Sequence, residues 1–337
     1  MNKIKIIILL SLFVIIFVYK YKYKFNMTLF EDIIEQQINL KHKYKSEPRP
    51  ETECICIIIK DNKIEKIIHG KRFHQSRERL YVSLINNVLE KYTINDCNIN
   101  INLCDIPKVG YFNFCREKNN HSQFLLPNHR FTTSDIKVDE NEITFKNFNE
   151  EKSYILSKHR VNKKNKIYTS CIPHRSKLVY FNYAINNKDI CDGWAYTGSV
   201  HGKVHMSDNL YKVLKNNNMA GETKHPWIEH LNYKYVLYND GNTLSDRMRL
   251  LLCTNSLILK DKKSNYEEFY SYLLKNNVNF IEYTDIRELR SIYNTLESNP
   301  VLYDKIISNN NEFIHKYLDY DEILLYTYNI ITSIACK

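Results

Sequence analysis

The sequence predicts an α/β protein organised around parallel β-sheet with helices on both faces. Three observations carry this reading. Short strand-like runs such as Cys54–Lys60, Tyr233–Tyr238 and Ser256–Lys260 alternate with amphipathic helical runs such as Arg77–Lys91 and Val301–Tyr317. Strand–helix–strand–helix order pairs strands in parallel and leaves the helices to cover the faces. The chain has 337 residues, 43% of them hydrophobic, which suffices for one large domain or two ordinary ones with buried cores.

The elements follow in chain order. Residues 6–18 form an apolar run, with Lys3 and Lys5 before it and Lys20, Lys22 and Lys24 after it. The run is short for the roughly 20 residues of a full span, but Ile4, Tyr19 and snorkelling lysines extend it. No small-residue cleavage site follows, so residues 1–24 read as an uncleaved signal anchor. Residues 25–50 are polar and basic and end at Pro48-Arg49-Pro50, which reads as a stem. The body opens with the strand Cys54–Lys60, a turn at Asp61-Asn62 and a second strand near Ile64–Ile68. Arg77–Lys91 is a helix with Tyr81, Leu84, Ile85 and Val88 on one face. Arg77 and Arg79 read as surface charges on it. Asn98–Leu103 is a short strand, and Asp105 sits just past its end.

The second half is patterned more sharply. Tyr233–Tyr238 is a strand, Asn239–Asn242 a turn, and Ser245–Cys253 a helix. Ser256–Lys260 is a strand, Tyr266–Leu274 an aromatic helix, and Phe280–Tyr283 another strand. Asp285 caps the next helix, with Glu288 three residues on as a capping box. Val301–Tyr317 and Glu322–Ala335 close the chain as helices.

The net charge is +10, a balance that suits nucleic acid, an anionic membrane or a phosphorylated small molecule. No RNA-binding signature or zinc-finger spacing is present, so nucleic acid is not an expected partner. The nine cysteines fall into no zinc pattern. They permit disulfides in an oxidising lumen without requiring them.

One segment carries chemistry on local grounds. After Tyr233–Tyr238 the chain turns at Asp240-Gly241 and enters the helix with Ser245 and Arg247 at its start. Unpaired N–H groups and the helix dipole favour an anion there, and Arg247 adds a forked cation suited to phosphate oxygens.

The stretch from about Glu229 to Ile331 resembles glycosyltransferase family 90, the capsule-associated sugar transferases and protein O-glucosyltransferases. The resemblance rests on YKYVLYNDGNTLSDRMRLLLCTNSLILK, then NYEEFYSYLLKNNVNFIEY, then DIRELRSIYNTLE. Asn279 stands where the family often has His. Upstream, Asp105-Ile106-Pro107 is similar to the family's Asp-x-Pro, whose Asp is the proposed catalytic base. Phe112-Asn113-Phe114 is similar to its Phe-Ser-Phe. Pro127, His129 and Phe131 fall in its Tyr-Pro-x-Trp-x-Phe element, with His129 replacing the Trp. Arg175 matches the later arginine of a Phe-Arg-Gly-Ser…Arg segment, while Thr169 and Ser170 stand where the early Arg and Gly are expected. Glu268 occupies the place of a Glu in the family's aromatic helix, where a ribose contact or a solvated face are both open.

The resemblance implies the GT-B arrangement, two Rossmann-like parallel-sheet halves facing a cleft. It places an acceptor-side α/β domain over residues 51–160 and a nucleotide-sugar domain over 161–337 with the C-terminal helices, the last of which crosses back to the first half. It implies a metal-independent, inverting transfer of glucose or xylose from a UDP-sugar to a hydroxyl of a protein or glycan. Asp105 would be the base. Arg175, Gly241, Ser245, Arg247 and Glu268 would hold the donor, and Phe112, Pro127, His129 and Phe131 would touch acceptor or sugar. No cofactor beyond the donor is expected. A rival reading is a catalytically degenerate relative that binds a glycan or a partner protein. The lysines after the anchor would keep the body cytoplasmic. The sequons at Asn26 and Asn120 and the resemblance point instead to a body in the endoplasmic reticulum or Golgi lumen.

Two further features are read as structural. Asp319-Tyr320-Asp321 has the Asp-x-Asp form of metal-dependent transferases but lies between helices, where it reads as a cap. Trp194, His201 and His205 cluster in a Gly-containing loop, without the helical spacing of a zinc pair.

Overall fold

The first half of the body forms a five-stranded sheet. Its order is β2-β1-β3-β4-β6, from β1 (Cys54–Lys60), β2 (Lys63–His69), β3 (Cys97–Asn102), β4 (Phe112–Asn113) and β6 (Phe124–Leu125), with β5 (Arg116–Glu117) between the last two in sequence. The computed structural model describes residues 30, 32–45, 53–70, 74–132, 134–138, 141–173, 175–198, 206–223, 225–241 and 243–336. The apolar run read as an anchor, the sequon at Asn26 and both His201 and His205 lie outside the described residues. Among the described residues no helix is long and apolar enough to cross a membrane.

The expectation of two parallel sheets needs correction here, because the first sheet is mixed. β1 and β2 form an antiparallel hairpin, and β1 runs antiparallel to β3, while β3, β4 and β6 are parallel. The local reason is the two-residue turn: Asp61 and Asn62 take φ of 49° and 56°, the positive values that let a tight hairpin follow the twist of its strands. Helix α1 (Gln75–Lys91) covers this sheet with Tyr81, Leu84, Ile85 and Val88, all fully buried.

An antiparallel pair, β7 (Ser134–Val138) and β8 (Asn141–Phe145), and helix α2 (Phe148–Ser157) follow. The second half is then a six-stranded sheet. Its strands are β9 (Lys164–Cys171), β10 (Cys191–Tyr196), β11 (Ala220–Gly221), β12 (Tyr233–Tyr238), β13 (Leu257–Asp261) and β15 (Ile281–Tyr283), in the order β11-β10-β9-β12-β13-β15, every pair parallel. Numbered within this half, the order is 3-2-1-4-5-6, the doubly wound arrangement. Helices α3 (Arg175–Asn186), α4 (Asp208–Asn216), α5 (Met248–Leu251), α6 (Leu289–Glu297), α7 (Pro300–Lys316) and α8 (Tyr320–Ile334) complete the chain.

Alternate residues of β12 serve two cores, as the pleat requires. Tyr235 and Leu237 join Phe181, Leu289 and Ile306 in the core of the second half. Val236 and Tyr238 join a larger core that also holds Ile57, Leu84 and Phe112 of the first half. Helix α8 crosses back to the first half. Tyr326 Oη donates to the Leu125 carbonyl at 3.0 Å and accepts from Gln37 Nε2 at 3.3 Å, and Asn87 Nδ2 donates to Tyr320 Oη at 2.7 Å.

Three local expectations are revised. The stretch read as a stem belongs to the body over its described residues: Phe30, Ile33, Ile34 and Gln37 are buried, and Phe30 stacks on Phe269. The helix expected over Tyr266–Leu274 is instead β14 (Tyr266–Glu267), which pairs antiparallel with β5, followed by one 3-10 turn at Ser271–Leu273. Its aromatic residues are spent on burial, with Phe269 and Tyr270 fully enclosed between the halves, so helical periodicity has no face to satisfy. The helix expected over Ser245–Cys253 shrinks to the four residues of α5.

A buried ion pair ties α5 to α2. Arg249 places Nη1 and Nη2 on the two carboxylate oxygens of Glu151, and both residues are almost fully enclosed. The Phe148 and Phe131 rings flank the guanidinium at 5.3 and 5.6 Å. Removing one member of such a pair strands the other charge in the core. Arg249→Met is therefore expected to cost about 3–5 kcal/mol, read as a lower urea midpoint. The double variant with Glu151→Gln should recover most of that loss.

Candidate active site

The two halves meet over a cavity of about 850 Å³ lined by residues from both. The first half contributes Arg77, Arg79, Asp105, His129 and Arg130 among others, and the second contributes Leu244 and Asp246. Asp105 reaches it because β3 ends at Asn102 and the chain bends immediately. Asn102 Nδ2 holds that bend by donating to the Ile106 carbonyl at 2.8 Å and to Asn113 Oδ1 at 2.9 Å.

Arg77 is not the free surface charge the sequence suggested. Its Nη1 donates to the Leu103 carbonyl at 2.5 Å and its Nη2 to Asp105 Oδ1 at 2.6 Å. The guanidinium lies 5.5 Å from the Phe114 ring centroid. The guanidinium thus ties one carboxylate oxygen of Asp105 to the backbone at the end of β3. Across the cavity Arg130 faces Asp246 at 3.7 Å.

The second half presents its switch point, the crevice between β9 and β12 where strand order reverses. Ligands of open α/β sheets bind beyond the carboxyl ends of the strands at such a point. Arg247 spans it. Nη1 donates to the Ser170 carbonyl at the end of β9 at 2.9 Å, and Nε donates to Ser245 Oγ at 3.1 Å. Nη2 is buried with no hydrogen-bond partner among the described residues. Because α5 has four residues, the dipole invoked for Ser245 and Arg247 is small, which leaves the arginine fork as the group at this point with the chemistry to engage an anion. Gly241 is not required by the backbone: among the described residues a Cβ there would meet only the Leu244 carbonyl oxygen, at 3.6 Å.

Arg175 opens α3 just beyond β9. Lys177, two residues further on, was not singled out from the sequence. It is buried close to Arg247, Asp240 and Asp246, and burial followed by the Arg247 charge holds its ammonium pKa below the ordinary lysine value. The available signal was its position in the first helical turn after the strand that borders the switch point.

Of the anticipated residues, Gly241, Ser245 and Arg247 stand beside the lining residues Leu244 and Asp246 without lining the cavity themselves, and Phe112, Pro127, Phe131 and Glu268 do not line it either. Phe112 is fully buried between Tyr44 and Phe124 in the first core. Phe131 is fully buried against Phe148, Phe269 and Tyr270. Pro127 is buried and not part of the lining. Glu268 is buried rather than solvated and accepts from Tyr270 Oη; burial pushes its carboxyl up to about 8. His129 does line the cavity, although only 7% exposed. Burial, with Arg77, Arg130 and Arg249 nearby, pushes its imidazole down to about 3. Asp319 caps α8 by accepting from the Asp321 amide at 3.0 Å, and Asp321 pairs with Lys91 at 2.6 Å, so this Asp-x-Asp is engaged as a cap.

These shifts fix the sign of an acid response. His129 and His230, the latter also held at about 3 by burial, stay neutral in the folded protein. The unfolded chain takes up their protons below about pH 6.5. Each histidine therefore removes about 1.4 kcal/mol per pH unit as pH falls below that value. Glu268 acts oppositely between about pH 4.5 and 8, because the folded form holds its proton and gains stability on acidification. Two histidines outweigh one glutamate, so the urea midpoint should drop from pH 6.5 to 5. In His230→Gln the drop should be shallower but still present, because burial also holds His121, His159 and His225 below the ordinary histidine value.

The sequence matches glycosyl transferase family 90 over residues 36–336, and the chain belongs to that family. No curated protein matches the chain significantly. Among solved structures, HepE of Anabaena in complex with UDP and glucose is similar at a TM-score of 0.38 and 13% identity, over 51% of this chain and 50% of that one. A glycosyltransferase of Rickettsia africae is similar at 0.40 and 10%, over 55% and 52%. TarM of S. aureus is similar at 0.36 and 16%, over 51% and 36%. The chain spans about half the length of the first two.

Proposed function

We propose that this family 90 member is an inverting transferase that moves glucose or xylose from a UDP-sugar to a hydroxyl of a protein or glycan. The observation that carries the reading is a single cavity lined both by Asp105, at the end of β3, and by Leu244 and Asp246, beside the Arg247 that spans the β9–β12 switch point. The acceptor hydroxyl gives its proton to Asp105 while its oxygen bonds to the anomeric carbon from the face opposite the diphosphate. The bond from that carbon to the diphosphate oxygen breaks, and UDP leaves with the added negative charge. Arg247, Arg175 and Lys177 stabilise that charge, so the diphosphate leaves without a metal ion. We place the donor in the second half and the acceptor beside α1 in the first, in the GT-B manner, with residues 1–24 anchoring a luminal body.

The Arg77 grip on Asp105 favours one other reading, a silent relative that binds a glycan or partner protein. The full chain, purified in detergent, should be assayed for UDP release from a panel of UDP-sugars, with and without EDTA and with candidate glycan and peptide acceptors. Donor-selective release that survives EDTA supports the transferase and names the sugar. Release abolished by EDTA refutes the metal-free step, and donor binding without turnover supports the silent relative.

A further inference from the structure

The nine cysteines are all thiols in this structure, yet two of them face each other across the junction of the chain's last segment with its first sheet. Cys97 opens β3, and Cys336 follows α8. The two residues form an isolated antiparallel β-bridge. Directly opposed residues of an antiparallel pair have Cα atoms about 4.5–5.5 Å apart, inside the roughly 4.4–6.8 Å that a disulfide spans. The side chains are also close: each thiol is the largest influence on the other's pKa, and the Cys336 thiol donates to the carbonyl of Asn95, two residues before Cys97, at 3.6 Å. Lys41 anchors the same spot by donating from Nζ to the Cys336 carbonyl at 2.8 Å.

Three other thiols near the cavity or the core have non-sulfur partners. Cys54 Sγ lies on Asn102 Oδ1, Cys115 Sγ on the Asp105 carbonyl and Cys253 Sγ on the Arg249 carbonyl. Cys56 is the nearest competitor, since its charge would be felt at Cys97. It pairs across the sheet with Asn100 rather than with a cysteine.

We propose that Cys97 and Cys336 form a disulfide when the protein matures in an oxidising compartment, clasping the end of α8 to the strand that carries Asp105 at its other end. The oxidant is a small-molecule disulfide such as oxidised glutathione. The Cys336 thiolate attacks one glutathione sulfur, forming a mixed disulfide and releasing one glutathione thiolate. Cys97 loses its proton to solvent and attacks the Cys336 sulfur, releasing the second glutathione. Two electrons pass from the protein dithiol to glutathione disulfide, and the net products are one protein disulfide and two glutathione thiols. The neighbouring Cys97 thiol, together with the Lys41 charge, holds the Cys336 thiol pKa below its usual range, which favours it as the first attacker.

The clasp closes a loop containing most of the body, the case in which a cross-link restricts the unfolded chain most. The test uses the purified full chain equilibrated with a glutathione buffer at about −200 mV, alkylated, digested with trypsin without reductant and mapped by mass spectrometry. The expected product joins the peptide 92–108 to the peptide 317–337. Fragmentation must assign the bond to Cys97, because Cys104 lies in the same peptide. Cys97→Ser and Cys336→Ser should each abolish the product and lower the Tm of the oxidised protein by roughly 5–10 °C. The double variant should lose no more, and in reductant all four proteins should melt within about 1 °C of one another. Both thiols alkylated at this potential, or Cys336 joined to Cys56 or Cys104, would overturn the proposal. Should Cys336→Ser fail to fold, Cys97→Ser carries the same readouts.

Discussion

Asp105→Asn is expected to lower sugar transfer by roughly 1,000-fold, the middle of the range a positioned general base supplies, with little change in donor KM. The amide keeps the size of the carboxylate, and its carbonyl oxygen can still accept from Arg77, whose grip is set by the Leu103 carbonyl as well. What it loses is the capacity to take the hydroxyl proton. The Asp105 side chain is 41% exposed, so the fold should be unaffected and the melting temperature unchanged. Initial rates at saturating donor and acceptor check this. A loss below about tenfold would remove Asp105 from the base role and direct attention to Asp246 across the cavity.

Arg247→Ala is expected to lower kcat/KM by roughly 100- to 1,000-fold, the scale of removing one donor aimed at developing charge, and to weaken UDP binding at the same time. Arg247 is the only described side chain that hydrogen-bonds the end of β9 from the loop after β12, and its Nη2 has no hydrogen-bond partner among the described residues. A diphosphate oxygen at the crevice would complete that fork. Arg247→Lys should rescue little, because an ammonium cannot reproduce the forked geometry that engages Ser245, Ser170 and a phosphate oxygen together. Calorimetric titration with UDP separates the contributions. Unchanged UDP affinity in Arg247→Ala would move the diphosphate away from the switch point.

The elements whose neighbours in sequence are also their neighbours in space were legible before the fold was known. Tyr233–Tyr238, the hairpin at Asp61-Asn62, helix α1 and the Asp285 cap all follow from short-range alternation, turn chemistry and capping. The cap at Asp285 accepts from the Arg287 amide, while Glu288 reaches back to Thr284 rather than to Asp285, a one-residue shift within the same local motif. Ser245 and Arg247 could be singled out as candidates because their spacing from a strand end is also local. Where sequence reasoning failed, the deciding partner lay far along the chain. Tyr266 and Glu267 are a strand because Glu117 and Arg116 pair with them. Phe112 and Phe131 look like cavity aromatics in sequence but fill the core beneath it.

What the sequence by itself determined is the α/β pattern, the position of Asp105 past a strand end and the Arg247 anchor after another. Only the tertiary structure decided that the first sheet is mixed, that Arg77 grips Asp105, that Lys177 sits beside Arg247, and that Cys97 meets Cys336. The physical reason is one of range. Propensity, periodicity and capping act over a few residues and are written into each segment. Burial and side-chain pairing are set by which segments the folded chain brings together, and each of those contacts joins elements that no local pattern connects.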